Sequence, residues 1–315
     1  MKTLHIVAQV LEMLAALGAA PLFVGWINQC RAWLQNRSAP SVLQPYRAIY
    51  KLFHKDAVIA QNASSLFRIA PYIVFGTMLL AAAVIPSMST RLPFSRVADA
   101  IALVGLFATA RVFLSLAAMD IGTAFGSLGA RREMMVGFLA EPALLMVIFV
   151  ASLISHTTAL PVISERLATQ GLGLYPSLAF TGVAFTMVLL AENARIPVDN
   201  PATHLELTMI HEAMLLEYSA RHLALMEWAA ALKLFNYACI GFALFLPWGA
   251  AMGDGPGSLV MALPVLGLKL MLAGAGLAVV ETLSAKLRVF RAPEFLATAF
   301  MLAVLGLLVH LLLGA

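Results

Sequence analysis

Eight apolar stretches of about 20 residues, separated by polar connections, run through the sequence. A stretch of this length lets an α-helix cross the roughly 30 Å hydrocarbon core of a bilayer, and a helix satisfies its own backbone polar groups there. Of all residues, 62% are hydrophobic and 11% are charged, against about 45 to 50% and about 25% in soluble domains. These values exclude a soluble single-domain enzyme. The sequence predicts an all-α, polytopic membrane protein with about eight transmembrane helices in one domain, residues 1–315.

The predicted spans cover residues 4–26, 69–86, 98–119, 134–155, 174–191, 223–248, 259–283 and 294–313. The first stretch is longer than the 7 to 15 apolar residues of a signal peptide. We therefore expect it to be a retained helix.

Basic residues are distributed unevenly between the predicted loops. Cytoplasmic loops of membrane proteins carry an excess of Lys and Arg, which orients this chain with both termini outside, in the cytoplasmic (inner) membrane. The formal charge of +4 therefore reports topology, and nucleic-acid binding is not supported. The loops after the first, third, fifth and seventh spans hold thirteen bases, whereas the other side holds Lys2, Arg91, Arg96 and Arg166.

Two of the predicted cytoplasmic loops, residues 27–68 and 192–222, are longer than a helix connection requires. The segment 46–53 mixes aromatic, aliphatic and basic residues, a composition unlike that of disordered chains. We expect these loops to form a docking surface for a cytoplasmic partner. Disorder is the alternative.

Several ionisable residues fall within or at the ends of the predicted spans. Each such group costs at least about 2.5 kcal/mol in the hydrocarbon and often marks an ion path. The alternative for any one of them is a buried ion pair or an interfacial position, and Arg111 is placed to neutralise a nearby acid. As a set they indicate transfer of protons or cations. The set comprises Glu12, Arg111, Glu141, Glu192, Glu227, Lys233, Lys269 and Glu281.

The segment after the fifth span contains Pro197 and Pro201, which break a continuing helix and place Asp199 at a turn near the membrane surface. If the segment after Pro201 were one uninterrupted helix, Glu206 and Glu217 would share a face. His204, His211 and His222 would form a second stripe, with successive residues about 10 and 16 Å apart along the axis. That is too far for one metal ion. Relay of protons and contact with a partner are the two readings that remain for the histidines.

Other patterns carry less information. Residues 126–133, with two glycines and two arginines, resemble a phosphate-binding loop only superficially, and we interpret them as a close-packed cytoplasmic turn. Two cysteines, Cys30 and Cys239, are too few for an iron-sulfur cluster. We also find no haem-ligand pair and no catalytic triad.

Several motifs resemble the subunit 1 family of respiratory complex I. They are residues 21–27, Arg37 with residues 44–53, residues 126–132, residues 192–199 and residues 217–219, in the same order as in that family. The resemblance covers essentially the whole chain. Within the family, the chain looks closest to the membrane subunit of group 4 energy-converting nickel-iron hydrogenases, including formate hydrogenlyase and hydrogenase-4.

The resemblance implies an anchoring and ion-coupling subunit, with no cofactor of its own. A NiFe centre and iron-sulfur clusters are expected in hydrophilic hydrogenase-like large and small subunits, and proton or sodium movement in antiporter-like membrane subunits. The implied proton-path candidates are Glu141, Glu192, Asp199, Glu206, Glu212, Glu217, Glu227, Lys233, Lys269 and Glu281. The partner-docking candidates are Arg37, Gln44, Arg47, Lys51, Arg131, Arg132, His204 and His211.

The chain departs from the complex I pattern after Asp199. Where that family has three acids in alternate positions, this chain has Ala202, His204 and Glu206, which weakens an expectation of a quinone site. Three alternatives remain at this point: a quinone-chamber subunit, a self-contained secondary transporter and a purely structural anchor.

Overall fold

The computed structural model describes residues 2–90, 99–169, 175–199, 209–251 and 256–313. These residues form eleven α-helices and one short 3-10 helix, Val289–Arg291. The helices are α1 (Lys2–Leu34), α2 (Gln44–Phe53), α3 (Ser65–Val84), α4 (Ala100–Asp120), α5 (Ala124–Ser155), α6 (Leu160–Thr169), α7 (Pro176–Glu192), α8 (His211–Leu215), α9 (Ala220–Phe245), α10 (Pro256–Leu283) and α11 (Ala292–Leu313).

Seven of these helices, α1, α3, α4, α5, α9, α10 and α11, are long and apolar enough to cross a membrane. The eighth apolar helix, α7, has 17 residues and is about 26 Å long at 1.5 Å per residue, close to the hydrocarbon thickness. The prediction of an all-α polytopic membrane protein is therefore confirmed. The orientation of the termini stays a prediction.

Packing places α9 at the centre of the bundle. Two thirds of its most apolar segment is buried, and it contacts α1, α2, α3, α6 and α7. By contrast, the corresponding segments of α10 and α11 are only 28% and 22% buried, so these two helices expose most of their apolar surface to lipid or to other membrane subunits.

The two ends of the bundle are closed by different loop contacts. At one end the two long loops meet, because the Ser219 hydroxyl donates to the Val58 carbonyl and accepts from the Val58 amide. The Leu287 amide also donates to the Pro197 carbonyl there. At the other end, a parallel bridge joins Ser89 to Ala251. We call the end at which the two long loops meet the loop side.

The turn predicted at residues 126–133 is wrong, because α5 begins at Ala124 and runs through all of them. Gly126 and Gly129 allow its first turns to pack closely, since a Cβ on Gly126 would lie 2.6 Å from the Ala118 carbonyl oxygen. A Cβ on Gly129 would lie 2.8 Å from the carbonyl oxygen of Ile210, just before α8. These glycines and arginines belong to a helix packed against its neighbours.

The condition of one uninterrupted helix after Pro201 is not met in the described residues from Met209 onwards. Residues 200–208, which include His204 and Glu206, lie outside the described residues, and α8 has only five residues. The chain is extended at Ser219, where the bonds to Val58 hold it, and Ala220 has a φ of +48°. Because α9 starts anew at Ala220, the argument that placed His211 and His222 on one stripe no longer applies.

Candidate functional site

The guanidinium of Arg111, on α4, lies at the centre of a group of acids from two other membrane helices. It contacts Glu192, at the end of α7, and Glu141, on α5. Its Nε also lies 3.5 Å from Glu133 Oε1. Arg111 is buried, so these carboxylates take the place of water around its charge.

Lys233, on α9, completes this group, with its Nζ 2.9 Å from Glu192 Oε2. We define the buried ion cluster as Arg111, Glu133, Glu141, Glu192 and Lys233. The cluster has one more acid than bases, so the addition of a single proton makes its formal charge zero. Chemically, such a group is suited to hold and release a proton within the membrane helices.

The α5 members of the cluster repeat every four residues. Glu133, Gly137 and Glu141 therefore lie on one face of the helix. The glycine makes room for Arg111, because a Cβ on Gly137 would lie 2.2 Å from Arg111 Nη1. Neither Glu133 nor Gly137 was among the sequence-based candidates. The four-residue spacing from Glu141 is the signal that identifies them.

A second group of charges lies nearer the loop side. Glu281, on α10, accepts from Arg195 Nη1 at 3.1 Å and from Arg31 Nη1 at 3.5 Å. Its carboxylate is 1% exposed, and its two partners come from the segment after α7 and from α1. Glu281 therefore ties three parts of the chain together, and Arg195 lies only three residues after Glu192.

Asp199 lies at the turn predicted for it and is 2% exposed. Its Oδ2 accepts from the amides of Ile210 and His211, at 3.3 and 3.1 Å. Lys286 Nζ lies 3.7 Å from its Oδ1. The carboxylate thus holds the start of α8 and the segment after α10 against the end of α7.

Two cavities lie beside these charges. The larger one, the loop-side cavity, has a volume of about 490 Å³ and is lined by Arg31, Arg195, His211, Glu212 and Glu227, among others. The smaller one, the inner cavity, has a volume of about 40 Å³. Its polar lining residues are Arg111, Glu133, His211 and Lys233. Since a water needs about 10 to 15 Å³, the inner cavity has room for water beside the buried ion cluster.

Lys269 lies away from both groups of acids. Its Nζ donates to the Leu246 carbonyl at 2.7 Å and to the Trp248 carbonyl, and it lies 4.6 Å from the centroid of the Trp248 ring. The lysine therefore caps the end of α9, and within the described part of the chain it forms no ion pair.

Glu12 is not among the proton-path candidates, and its side chain is buried. Its Oε1 accepts from the Ser89 amide at 2.7 Å and its Oε2 from the Ser87 hydroxyl at 3.2 Å. Glu12 thus fixes the connection after α3, at the end opposite the loop side.

Tyr218 and its neighbours join the long loops. Its ring stacks on Phe67 with centroids 4.0 Å apart, and its hydroxyl donates to the Phe67 carbonyl at 3.1 Å. Burial and the nearby Asp120 carboxylate raise the pKa of the Tyr218 hydroxyl above its usual value. Glu217 beside it is exposed and forms no ion pair with any described residue.

The docking candidates outside the ion groups are mostly at the surface. Arg132 is the exception, because its Nη1 donates to the Met209 carbonyl at 2.9 Å and so ties α5 to the segment before α8. The first residue of α8, His211, lines both cavities. The exposed candidates are Arg37, Gln44, Arg47, Lys51 and Arg131.

The fold and the site together define a polytopic membrane protein with ionisable groups held between its helices. The NADH dehydrogenase family matches residues 6–312, so the chain belongs to that family. The predicted family resemblance is thereby confirmed.

Named relatives agree with this assignment. Over 296 residues the chain is 31% identical to formate hydrogenlyase subunit 4 of Escherichia coli (strain K12), covering 94% of this chain and 95% of that one. It is 36% identical over 253 residues to hydrogenase-4 component C of the same organism, covering 80% and 79%. A chain of the membrane-bound sulfane sulfur reductase, an archaeal respiratory membrane complex, shares the fold with a TM-score of 0.81 at 19% identity, covering 96% of this chain and 98% of that one.

Proposed function

We propose that this chain is the membrane-anchoring and ion-coupling subunit of a complex I-like oxidoreductase in the cytoplasmic membrane. Its partners are hydrophilic large and small subunits of a nickel-iron hydrogenase type, with the NiFe centre and iron-sulfur clusters, and antiporter-like membrane subunits that translocate protons or sodium ions. The names of the two Escherichia coli relatives support a hydrogenase partner. The chain itself supplies no redox group.

The observation that carries this proposal is the connection between the loop side and the buried ion cluster. Glu192 belongs to the cluster, whereas Arg195 and Asp199 follow it in the same short segment and pair with Glu281 and Lys286. A displacement or charge change at the loop side therefore acts on the segment that begins at Glu192. A structural anchor has no need of so many ionisable groups between its helices.

The chemistry follows from ordinary electrostatics. If the redox module docks on the loop side, a change in its charge alters the field at Asp199 and Glu281, and nearby charges change the protonation of carboxyl groups. The response passes along the segment after α7 to Glu192. The buried ion cluster then gains or releases the one proton that makes its formal charge zero. A released proton moves on towards the antiporter-like subunits.

Purification through a tag on this chain tests the proposed partners. We expect hydrophilic subunits, antiporter-like membrane subunits, nickel and iron to co-purify in fixed ratios, as measured by mass spectrometry and metal analysis. Recovery of the chain alone, with ion transport in vesicles and no redox partner, would instead establish the secondary transporter.

A quinone-chamber subunit is the second candidate, and the loop-side cavity is the observation in its favour. A volume of about 490 Å³ falls within the range of small-molecule sites, and its lining combines apolar residues with Arg31 and Glu227. Sensitivity of the purified complex to quinone-site inhibitors would favour this candidate. Turnover that is unaffected by them and by added quinone would favour the hydrogenase assembly.

A further inference from the structure

The loop-side cavity and the inner cavity share part of their walls. Three residues line both: His211, Leu215 and Ala230. Leu215 and Ala230 have no group that can carry a proton. His211 is therefore the one titratable residue among the described lining residues that faces both spaces.

The position of His211 is fixed by its backbone. It begins α8, and its amide donates to Asp199 Oδ2 at 3.1 Å, while Lys286 holds the other carboxylate oxygen. His211 is only partly buried, and it lines both the loop-side cavity and the inner cavity. Asp199 thus acts as a positioning residue for His211.

We propose that His211 is the relay through which protons pass between the loop-side cavity and the buried ion cluster. The proposal deepens the proposed function and rests on it. Histidine suits this task because its ring has two nitrogens, so one can accept a proton while the other releases one.

The transfer balances as follows. The neutral imidazole accepts a proton at one ring nitrogen from water or a carboxyl group in the loop-side cavity and becomes imidazolium. It then loses the proton from its other nitrogen, through water in the inner cavity, to a carboxylate of the cluster, which becomes a carboxylic acid. The ring returns to its starting tautomer by exchange or rotation, and no other species is consumed.

Charged groups surround His211 on both sides of this step. Those of the inner cavity are Arg111, Glu133 and Lys233, and those of the loop-side cavity are Arg31, Arg195, Glu212 and Glu227. Glu133, on the inner side, is 5% exposed and is the acid of the cluster that lines the inner cavity. It is therefore the acceptor that the geometry favours.

The test uses the whole complex, purified through a tag on this chain and reconstituted into phosphatidylethanolamine and phosphatidylglycerol vesicles. Electron transfer is followed with a viologen dye and proton movement with a pH-sensitive dye. For His211→Gln, we expect proton translocation per turnover to fall at least about tenfold while electron transfer persists. His222→Gln removes a histidine that lines neither cavity and is expected to keep the wild-type ratio.

Chemical rescue distinguishes proton transfer from a loss of structure. In His211→Ala, added imidazole enters through the loop-side cavity, and we expect it to restore part of the proton movement with a pH dependence that follows the titration of imidazole. Wild-type coupling in His211→Gln, or loss in His211→Ala without rescue, would overturn the relay. If the relay is overturned but Glu192→Gln abolishes proton translocation, only the role of His211 is wrong. If Glu192→Gln also translocates protons like the wild type, the proposed function fails as well.

Discussion

Arg111 and Glu192 form a buried ion pair although they lie 81 residues apart and on different membrane helices. Each is held by further charges, Arg111 by Glu133 and Glu141 and Glu192 by Lys233. The pair therefore joins α4 and α7, and Glu133, which also lies against Arg111, lines the inner cavity. We expect both the stability of the bundle and the proposed ion transfer to depend on this pair.

Removal of the arginine charge should destabilise the protein strongly. Arg111→Met leaves three acids without their shared cation, and breaking a buried pair in this way costs about 3 to 5 kcal/mol. The apparent melting temperature of the purified complex in detergent measures the effect. The double variant Arg111→Met/Glu192→Gln should recover part of the loss, and a double variant no more stable than Arg111→Met would contradict the pairing.

Gly137 should not tolerate a methyl group, although alanine is normally the better helix former. Its Cβ would overlap the Arg111 guanidinium, so we expect Gly137→Ala to lower stability by about 1 to 3 kcal/mol, as overpacking does. At Gly105, on the same helix as Arg111, an added Cβ would meet no described atom within 4 Å outside the helix's own backbone. Gly105→Ala is therefore the matched control, and an equal melting temperature for the two variants would refute the close approach.

Neutralising Asp199 should reduce proton uptake without preventing assembly of the complex. Asp199→Asn keeps a carbonyl oxygen that can accept from the α8 amides but loses its charge next to Lys286. We expect the complex to assemble and transfer electrons, with proton uptake per turnover reduced. The exposed Asp56 provides a control, Asp56→Asn. Undiminished uptake in an assembled Asp199→Asn complex would remove Asp199 from the coupling path.

The Tyr218 hydroxyl should stabilise the loop side up to moderately alkaline pH. Tyr218→Phe keeps the stack on Phe67 but loses the hydrogen bond, at a cost of about 0.5 to 1.5 kcal/mol. Burial raises the pKa of the Tyr218 hydroxyl above the ordinary tyrosine value of 10.0. Above pH 10 the unfolded chain therefore loses this proton more readily than the folded protein does. The free energy of unfolding then falls as the pH rises. Melting temperatures from pH 8 to 11 should therefore show the wild type losing its advantage over Tyr218→Phe above pH 10. A constant difference over that range would contradict this assignment.

The spans and the end of α7 could be predicted from sequence because their signals are local. Apolar length identifies the membrane helices, and Pro197 excludes continuation of α7 far beyond Glu192. The start of α5 was missed because Gly126, Gly129 and two arginines also suit a turn. Contacts of Gly126 with α4 and of Gly129 with the segment before α8, which explain the two glycines, join parts of the chain whose proximity the local sequence does not show.

Four members of the buried ion cluster were predicted from sequence, whereas Glu133 and the pairings were not. A charge within an apolar span marks Arg111, Glu141 and Lys233 directly. Which acid pairs with which base depends on the packing of helices that are far apart in sequence. The need for glycine at Gly137 becomes clear only from the Arg111 side chain that lies against it. Lys269 looked equivalent to Lys233 in sequence, yet it caps α9 through backbone carbonyls.

The most direct measurement of coupling is the number of protons translocated per turnover by the reconstituted complex carrying Glu192→Gln. Glu294→Gln, which neutralises an exposed acid at the start of α11, is the control. We expect Glu192→Gln to transfer electrons while translocating almost no protons, and Glu294→Gln to match the wild type. Wild-type proton translocation by an assembled Glu192→Gln complex would contradict an ion-coupling role for the buried ion cluster.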